Sequence, residues 1–163
     1  MFRDLGARPG QAWTLNDLGM AQQLTGDYPA AAASHHQALQ MFRDLGYRLG
    51  LAEAQNNLGQ LATRTDDTSH ARHYHARAFA IAREIGMPLE EARALEGIGQ
   101  SYLVDSSPVQ AATHLEQALK IYQRIGVPDA RRIRKTLHRH GLTSLATDPP
   151  ELVPEALLLA REE

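Results

Sequence analysis

The first six residues, MFRDLG, return word for word at 41–46, and the repetition extends through most of the chain. Shifted by forty positions, FRDLGARPGQAWTLNDLG (2–19) aligns with FRDLGYRLGLAEAQNNLG (42–59) and AREIGMPLEEARALEGIG (82–99). A degenerate fourth copy begins at YQRIGVPDARRIRKTL (122–137). Gly6, Gly46, Gly86 and Gly126 keep step without a gap, as do Gly19, Gly59 and Gly99. The intervening halves match too: GDYPAAAASHHQALQMF (26–42), DDTSHARHYHARAFAIA (66–82) and SSPVQAATHLEQALKIY (106–122). Such an array constrains the fold more than any single motif, because each unit must bury its apolar face against its neighbours.

Each forty-residue unit reads as two helices. In the second half Ala31, His35, Ala38, Leu39 and Phe42 recur at steps of three and four, an amphipathic helical face. Ala12, Leu15, Leu18 and Gly19 do the same in the first half. TGDYP (25–29), TDDTS (65–69) and the run from Asp105 through Ser106 and Ser107 to Pro108 offer N-cap side chains, while L-G or I-G closes the other helix with a C-terminal glycine. Strand signals are absent. The pattern predicts helix pairs over 8–45, 48–85 and 88–125 within units 7–46, 47–86 and 87–126. A closing helix follows near 128–140, within 127–141. Residues 142–163 read as a proline-rich linker and a short helix from about Pro154 to Arg161. MFRDLG at 1–6 then reads as the last turn of a preceding repeat's helix, and the expectation is either a fragment of a longer chain or a product whose start site truncates the array.

Glycine inside a helix costs about 1 kcal/mol against alanine, so Gly19, Gly59 and Gly99 need a reason. Paired with small alanines on the next helix, they let two backbones approach closely. The set Leu15, Leu18, Gly19, Ala31, Ala38 resembles the tetratricopeptide repeat, and Leu58, Gly59, Ala71, Ala78 and Ile98, Gly99, Ala111, Ala118 repeat it. The resemblance implies an all-α fold: a right-handed superhelical α-solenoid of about three and a half helix-turn-helix repeats plus a C-terminal helix. There are departures. The aromatic usual three residues after the glycine appears only as Tyr102, with Gln22 and Ala62 in its place elsewhere, and His35 or His75 stands where a late aromatic is usual. HEAT-type repeats share the forty-residue length but lack the glycine–alanine pairing. The wording, with NNLG and GDY, is similar to arrays in bacterial transcriptional activators of the SARP and NTPase-linked types, and in kinesin light chain and its relatives. In the regulators such arrays are sensor or interaction regions.

By that resemblance the first helix of each pair lines a concave groove that binds a peptide or partner domain, which could belong to the same parent chain. The groove residues would be Trp13, Asn16, Asp17, Met20 and Leu24, then Glu53, Asn56, Asn57, Gln60 and Arg64, then Arg93, Glu96, Gln100 and Val104. An asparagine offers a donor and an acceptor together, matching the peptide groups of an extended ligand. Asn57 matches the asparagine that grips a ligand backbone in related arrays, and Asp17 replaces it in the first repeat. Trp13 and Met20 would supply an apolar anchor. The plain alternative is that Asn16 and Asn56 are solvated helix residues. With Lys120 and Lys135 the only lysines, a basic clamp for a terminal carboxylate is not evident.

Other classes are disfavoured. The chain has no cysteine, which excludes disulfides, thiolate metal sites and cysteine nucleophiles and suits a cytoplasmic location. Its longest aliphatic run, ALLLA at 156–160, is far short of a membrane span, and a net charge of −2 gives no global pull towards nucleic acid. There is no phosphate loop and no G-x-S-x-G, so a non-enzymatic interaction module without cofactor or metal is expected. His70 and His73 have a chelating spacing but lack a third ligand in register. RRIRKTLHRH (131–140) puts Arg131, Lys135 and Arg139 on one face, read as a polar cap rather than a phosphate stripe. Two alternatives stay open: a small-molecule sensor using Trp13, and self-association or self-plugging of the groove through the helix bearing Leu157–Leu159, which would permit a homodimer.

Overall fold

The computed structural model describes residues 2–143, and among them every regular element is a helix. The order is α1 (Phe2–Thr25), α2 (Tyr28–Asp44), α3 (Arg48–Arg64), α4 (Thr68–Glu84), α5 (Pro88–Val104), α6 (Pro108–Ile125) and α7 (Asp129–Arg139). The starts of α2, α4 and α6 fall forty residues apart, so the sequence period is a period of structure.

Local chemistry sets the turns. Asp27 accepts from the Ala30 amide at 3.2 Å and Asp67 from the His70 amide at 3.3 Å, each capping the helix it precedes. Ser107, in the same repeat phase, makes no such bond; there Pro108 begins α6 with its φ already helical. At the other turn Gly46, Gly86 and Gly126 take φ of 66, 68 and 72°, the left-handed conformation that ends a helix cheaply only with glycine. Tyr47 and Met87 then donate back to the carbonyls of Phe42 and Ala82, both at 2.8 Å.

The N-terminus departs from the expectation of a turn after Gly6. The α1 backbone is helical without interruption from Phe2 to Thr25, with Pro9 inside it. At Gly46 and Gly86 the reversal is held by the following helix packing back on the preceding one.

Helix pairs pack through their smallest residues. Ala31, Ala38, Ala71, Ala78, Ala111 and Ala118 are all fully buried. A Cβ added at Gly59 would fall 2.5 Å from the His75 ring, and one at Gly99 would fall 2.7 Å from Leu115. The mid-helix glycines are therefore close-approach positions, as their cost in helix propensity suggests. Phe42, Phe79, Leu95, Ile98, Leu115, Tyr122 and Ile133 fill the spaces between, each aliphatic or aromatic burial contributing roughly 1.5–3 kcal/mol.

Besides its sequence neighbours, α3 touches both α1 and α5, whereas α2, α4 and α6 have no comparable mutual contact. The odd helices thus form the inner side of the curve. On α7, Ala130, Ile133 and Leu137 face inward while Arg131, Lys135 and Arg139 are exposed, closing the stack with a polar surface. No described helix is long and apolar enough to cross a membrane. The linker, the C-terminal helix and the suggested self-plugging fall outside the described residues.

Candidate interaction groove

The inner face is built on three polar layers, and the first corrects an expectation. Asn16, Asn56 and Asn57 are 1, 0 and 2% exposed, so they are not available as solvent-facing grips on a ligand backbone. Nor are Asn16 and Asn56 solvated helix residues. In the first layer His35 Nδ1–H donates to Asn16 Oδ1 at 3.0 Å, and Asn57 Nδ2 donates to the same oxygen at 3.1 Å. Gln23 Nε2 donates to His35 Nε2 at 3.0 Å and to the Asn57 carbonyl at 3.1 Å. These side chains latch α1 to α2 and α3. The reason is spacing: a glycine and a histidine at the contact bring α2 close enough for a short amide on α1 to be enclosed.

The second layer repeats the theme with changes. His75 Nδ1–H donates to Asn56 Oδ1 at 2.9 Å, and Asn56 Nδ2 donates to Glu90 Oε2 at 2.9 Å and to the Glu90 carbonyl at 3.2 Å. Arg93 pairs with Glu90 at 2.9 Å. Burial disfavours the charged imidazole, pulling His35 down to about 4 with help from neighbouring His36, and His75 down to about 3 with help from Arg93. Both rings are neutral, hydrogen-bonded members of the interior.

The third layer is ionic. Glu96 takes the phase of Asn16 and Asn56 and accepts from Tyr122 Oη at 2.8 Å and from Gln100 Nε2 at 3.2 Å. Arg132 of α7 grips the same carboxylate with both Nη atoms, one at 3.0 Å, and reaches Asp129 at 2.5 Å. Burial pushes the Tyr122 phenol up, so it donates to Glu96 throughout the physiological range.

Between α3, α5 and α7 lies a cavity of about 450 Å³. Of the expected groove residues it gathers Gln60, Arg64, Arg93, Glu96 and Gln100, and adds Thr63, His75, Gly97, Asp129 and Arg132. The added residues escape sequence reasoning for identifiable reasons. Arg132 reads with the outer stripe of α7, although it stands out of step with Arg131, Lys135 and Arg139. Thr63 and Gly97 announce themselves only as changes from Gln23 and Asn57 at the same phase.

The remaining candidates lie elsewhere. Trp13 is half-buried, edge-on to Phe42 at 4.8 Å and to Tyr47 at 6.0 Å, so it serves the packing of α1 on α2. Asp17, Met20 and Leu24 are exposed on α1, outside the cavity lining, as is Val104 on α5. Glu53 is half-buried, and desolvation with the charge of Glu90 raises its carboxyl above the usual range. His70 bonds Asp67 Oδ2 at 2.8 Å, and no group of three or more potential ligands among the described residues could hold a metal ion.

Residues 10–84 match the tetratricopeptide repeat family, a stretch covering most of α1 and all of α2 to α4. The match and the succession of paired helices support a tetratricopeptide repeat protein. No curated protein matches the chain.

Proposed function

We propose that this tetratricopeptide solenoid holds a segment of a partner protein along its inner face, with the cavity between α3, α5 and α7 as the principal contact. Tetratricopeptide repeats are typically non-catalytic interaction modules. The observation that carries the reading is the convergence of Gln60, Arg64, Arg93, Glu96 and Gln100 on one open cavity of about 450 Å³. Amide and guanidinium groups at that spacing suit the peptide groups and acidic side chains of an extended chain. The buried asparagines bond to other interior groups of the helices and do not contact the partner. The repeat wording, similar to that of SARP-type regulators, favours an interaction region of a larger bacterial transcriptional regulator acting in the cytoplasm.

A second reading has one observation in its favour. The cavity volume falls in the roughly 300–1,000 Å³ range of small-molecule sites. Its lining is mainly polar and charged, however, whereas such sites are mostly apolar, so the peptide reading is preferred.

The test is affinity capture with the wild type and with a Gln60→Ala/Arg64→Ala/Gln100→Ala variant, followed by titration of each captured protein as a purified partner. A partner bound by the wild type and weakened at least tenfold by the triple variant supports the reading. Equal binding by both proteins, or saturable binding of a metabolite alone, overturns it.

A further inference from the structure

The two histidine layers are built to one plan but completed differently. Around His35 both ring nitrogens are used: Asn16 takes Nδ1–H, and Gln23 donates to Nε2 while anchored on the Asn57 carbonyl. Forty residues on, Asn56 takes Nδ1–H of His75, but Thr63 stands for Gln23 and Gly97 for Asn57. The Thr63 hydroxyl donates at 3.1 Å to the Gly59 carbonyl of its own helix, and Gly97 has no side chain to offer. His75 Nε2 therefore has no hydrogen-bond partner among the described residues, although the residue is 1% exposed. With the proton fixed on Nδ1 by Asn56, Nε2 is a bare acceptor, and a buried acceptor left unpaired costs roughly 1–3 kcal/mol.

This acceptor belongs to the wall of the cavity. His75, Thr63 and Gly97 all line it, and a Cβ at residue 97 would collide with His75 Nε2. Nε2 itself is covered, with the Gly59 and Gly97 backbones packed close on it, so a donor entering from the cavity must displace the short Thr63 side chain or turn the ring outward to reach it.

We infer that this corner of the cavity is a subsite for a carboxamide side chain, glutamine or asparagine, of the bound partner segment, which donates N–H to His75 Nε2 as Gln23 does to His35. The chain's own first layer shows the complementary group, and replacement of its two amides by threonine and glycine leaves Nε2 without a donor from the chain itself. The inference rests on the proposed groove binding and specifies one residue of its ligand. A hydroxyl could also donate, but the donor that the first layer itself uses at this ring position is the longer carboxamide of Gln23.

The test is selection of a displayed random dodecapeptide library on the full chain and on a Thr63→Gln variant, which restores the first layer's own donor without enlarging any close-packed glycine. Wild type should enrich peptides with glutamine or asparagine at one fixed position. Replacing that residue by methionine should weaken binding about three- to tenfold, the worth of one hydrogen bond. The ¹⁵N shift of His75 Nε2 should move on binding the amide peptide and not the methionine peptide, and Thr63→Gln should abolish the preference. Selected peptides without such enrichment, enrichment that survives Thr63→Gln, or an unmoved Nε2 resonance overturn the subsite while leaving groove binding intact. Failure of the wild type to select any peptide overturns both.

Discussion

Asn16 holds His35 by a 3.0 Å bond from Nδ1–H to Oδ1, joining the first helix of the array to the second where neither side chain meets solvent. The relationship is structural, and its consequences are measured as stability. Asn16→Ala leaves His35 Nδ1–H and Asn57 Nδ2 each without an acceptor in the interior. We expect a loss of about 1–3 kcal/mol in urea unfolding. Binding in the cavity between α3, α5 and α7 should be unchanged, because Asn16 is not part of its wall. A binding defect without a stability defect would contradict this assignment.

The neutral histidines make stability depend on pH in a definite direction. His35 and His75 have their folded values lowered from 6.5 to about 4 and about 3. Between pH 6.5 and about 4 the unfolded chain therefore binds more protons than the folded one. Stability is complete above pH 6.5 and falls as pH falls through that window. Asp67 and Asp105 are lowered from 3.8 and titrate below it, while the raised Glu53 opposes the trend in its acidic part. The contribution is isolated by comparing wild type with a His35→Leu/His75→Leu variant, since leucine occupies that phase at Leu115. The slope of unfolding free energy against pH, from about 6.5 to about 5, should be shallower in the variant.

Two glycines of the odd helices should respond oppositely to the same change. Gly10 has nothing within 4 Å of an added Cβ, so Gly10→Ala should stabilise by about 0.5–1 kcal/mol through helix propensity. An added Cβ at Gly50 collides with the ring of Phe42, which is fully buried and flanked by Trp13 at 4.8 Å. Overpacking of that kind costs roughly 1–3 kcal/mol and outweighs the propensity gain. Thermal unfolding of the two variants should shift Tm up and down respectively.

Arg132 is half-exposed, yet it grips a carboxylate that is only 9% exposed. Arg132→Ala leaves Glu96 with Tyr122 and Gln100 but no cation at that contact. The full cost of orphaning a buried charge, about 3–5 kcal/mol, is reduced here by the exposure of the arginine, and we expect about 1–3 kcal/mol. Glu96→Gln in the same background should recover part of the loss, which denaturation of the single and double variants would show.

The solenoid was legible because its determinants are local and repeated. Glycine at Gly46, Gly86 and Gly126, alanine at Ala38, Ala78 and Ala118, and the apolar steps between them each report one helix end or one close contact. The inner face was only half legible. Side chains such as Gln60, Arg64 and Gln100 project from the exposed side of a first helix, and phase alone locates them. Asn16 and Asn56 have almost the same phase, but their fate depends on whether the next helix comes near enough to enclose a short amide. That distance is set by glycine and histidine together, and no single column displays it. The continuous α1 shows the same limit: FRDLG ends a helix at 42–46 and lies within one at 2–6, a difference that the shared residues do not contain.

The polar layers also bear on how the chain finds its own shape. Units that share whole words, MFRDLG among them, are at risk of pairing with the wrong neighbour during folding, a failure characteristic of repeat proteins. Here each junction carries a different lock: amide on imidazole at Asn16 and His35, imidazole and carboxylate joined through Asn56, and guanidinium on carboxylate at Arg132 and Glu96. A helix docked one unit out of place would bring Glu96 where Asn56 belongs and strand a charge in the interior. The array is repetitive in its backbone but addressed at its seams, and the address is written in the few buried residues that depart from the repeat.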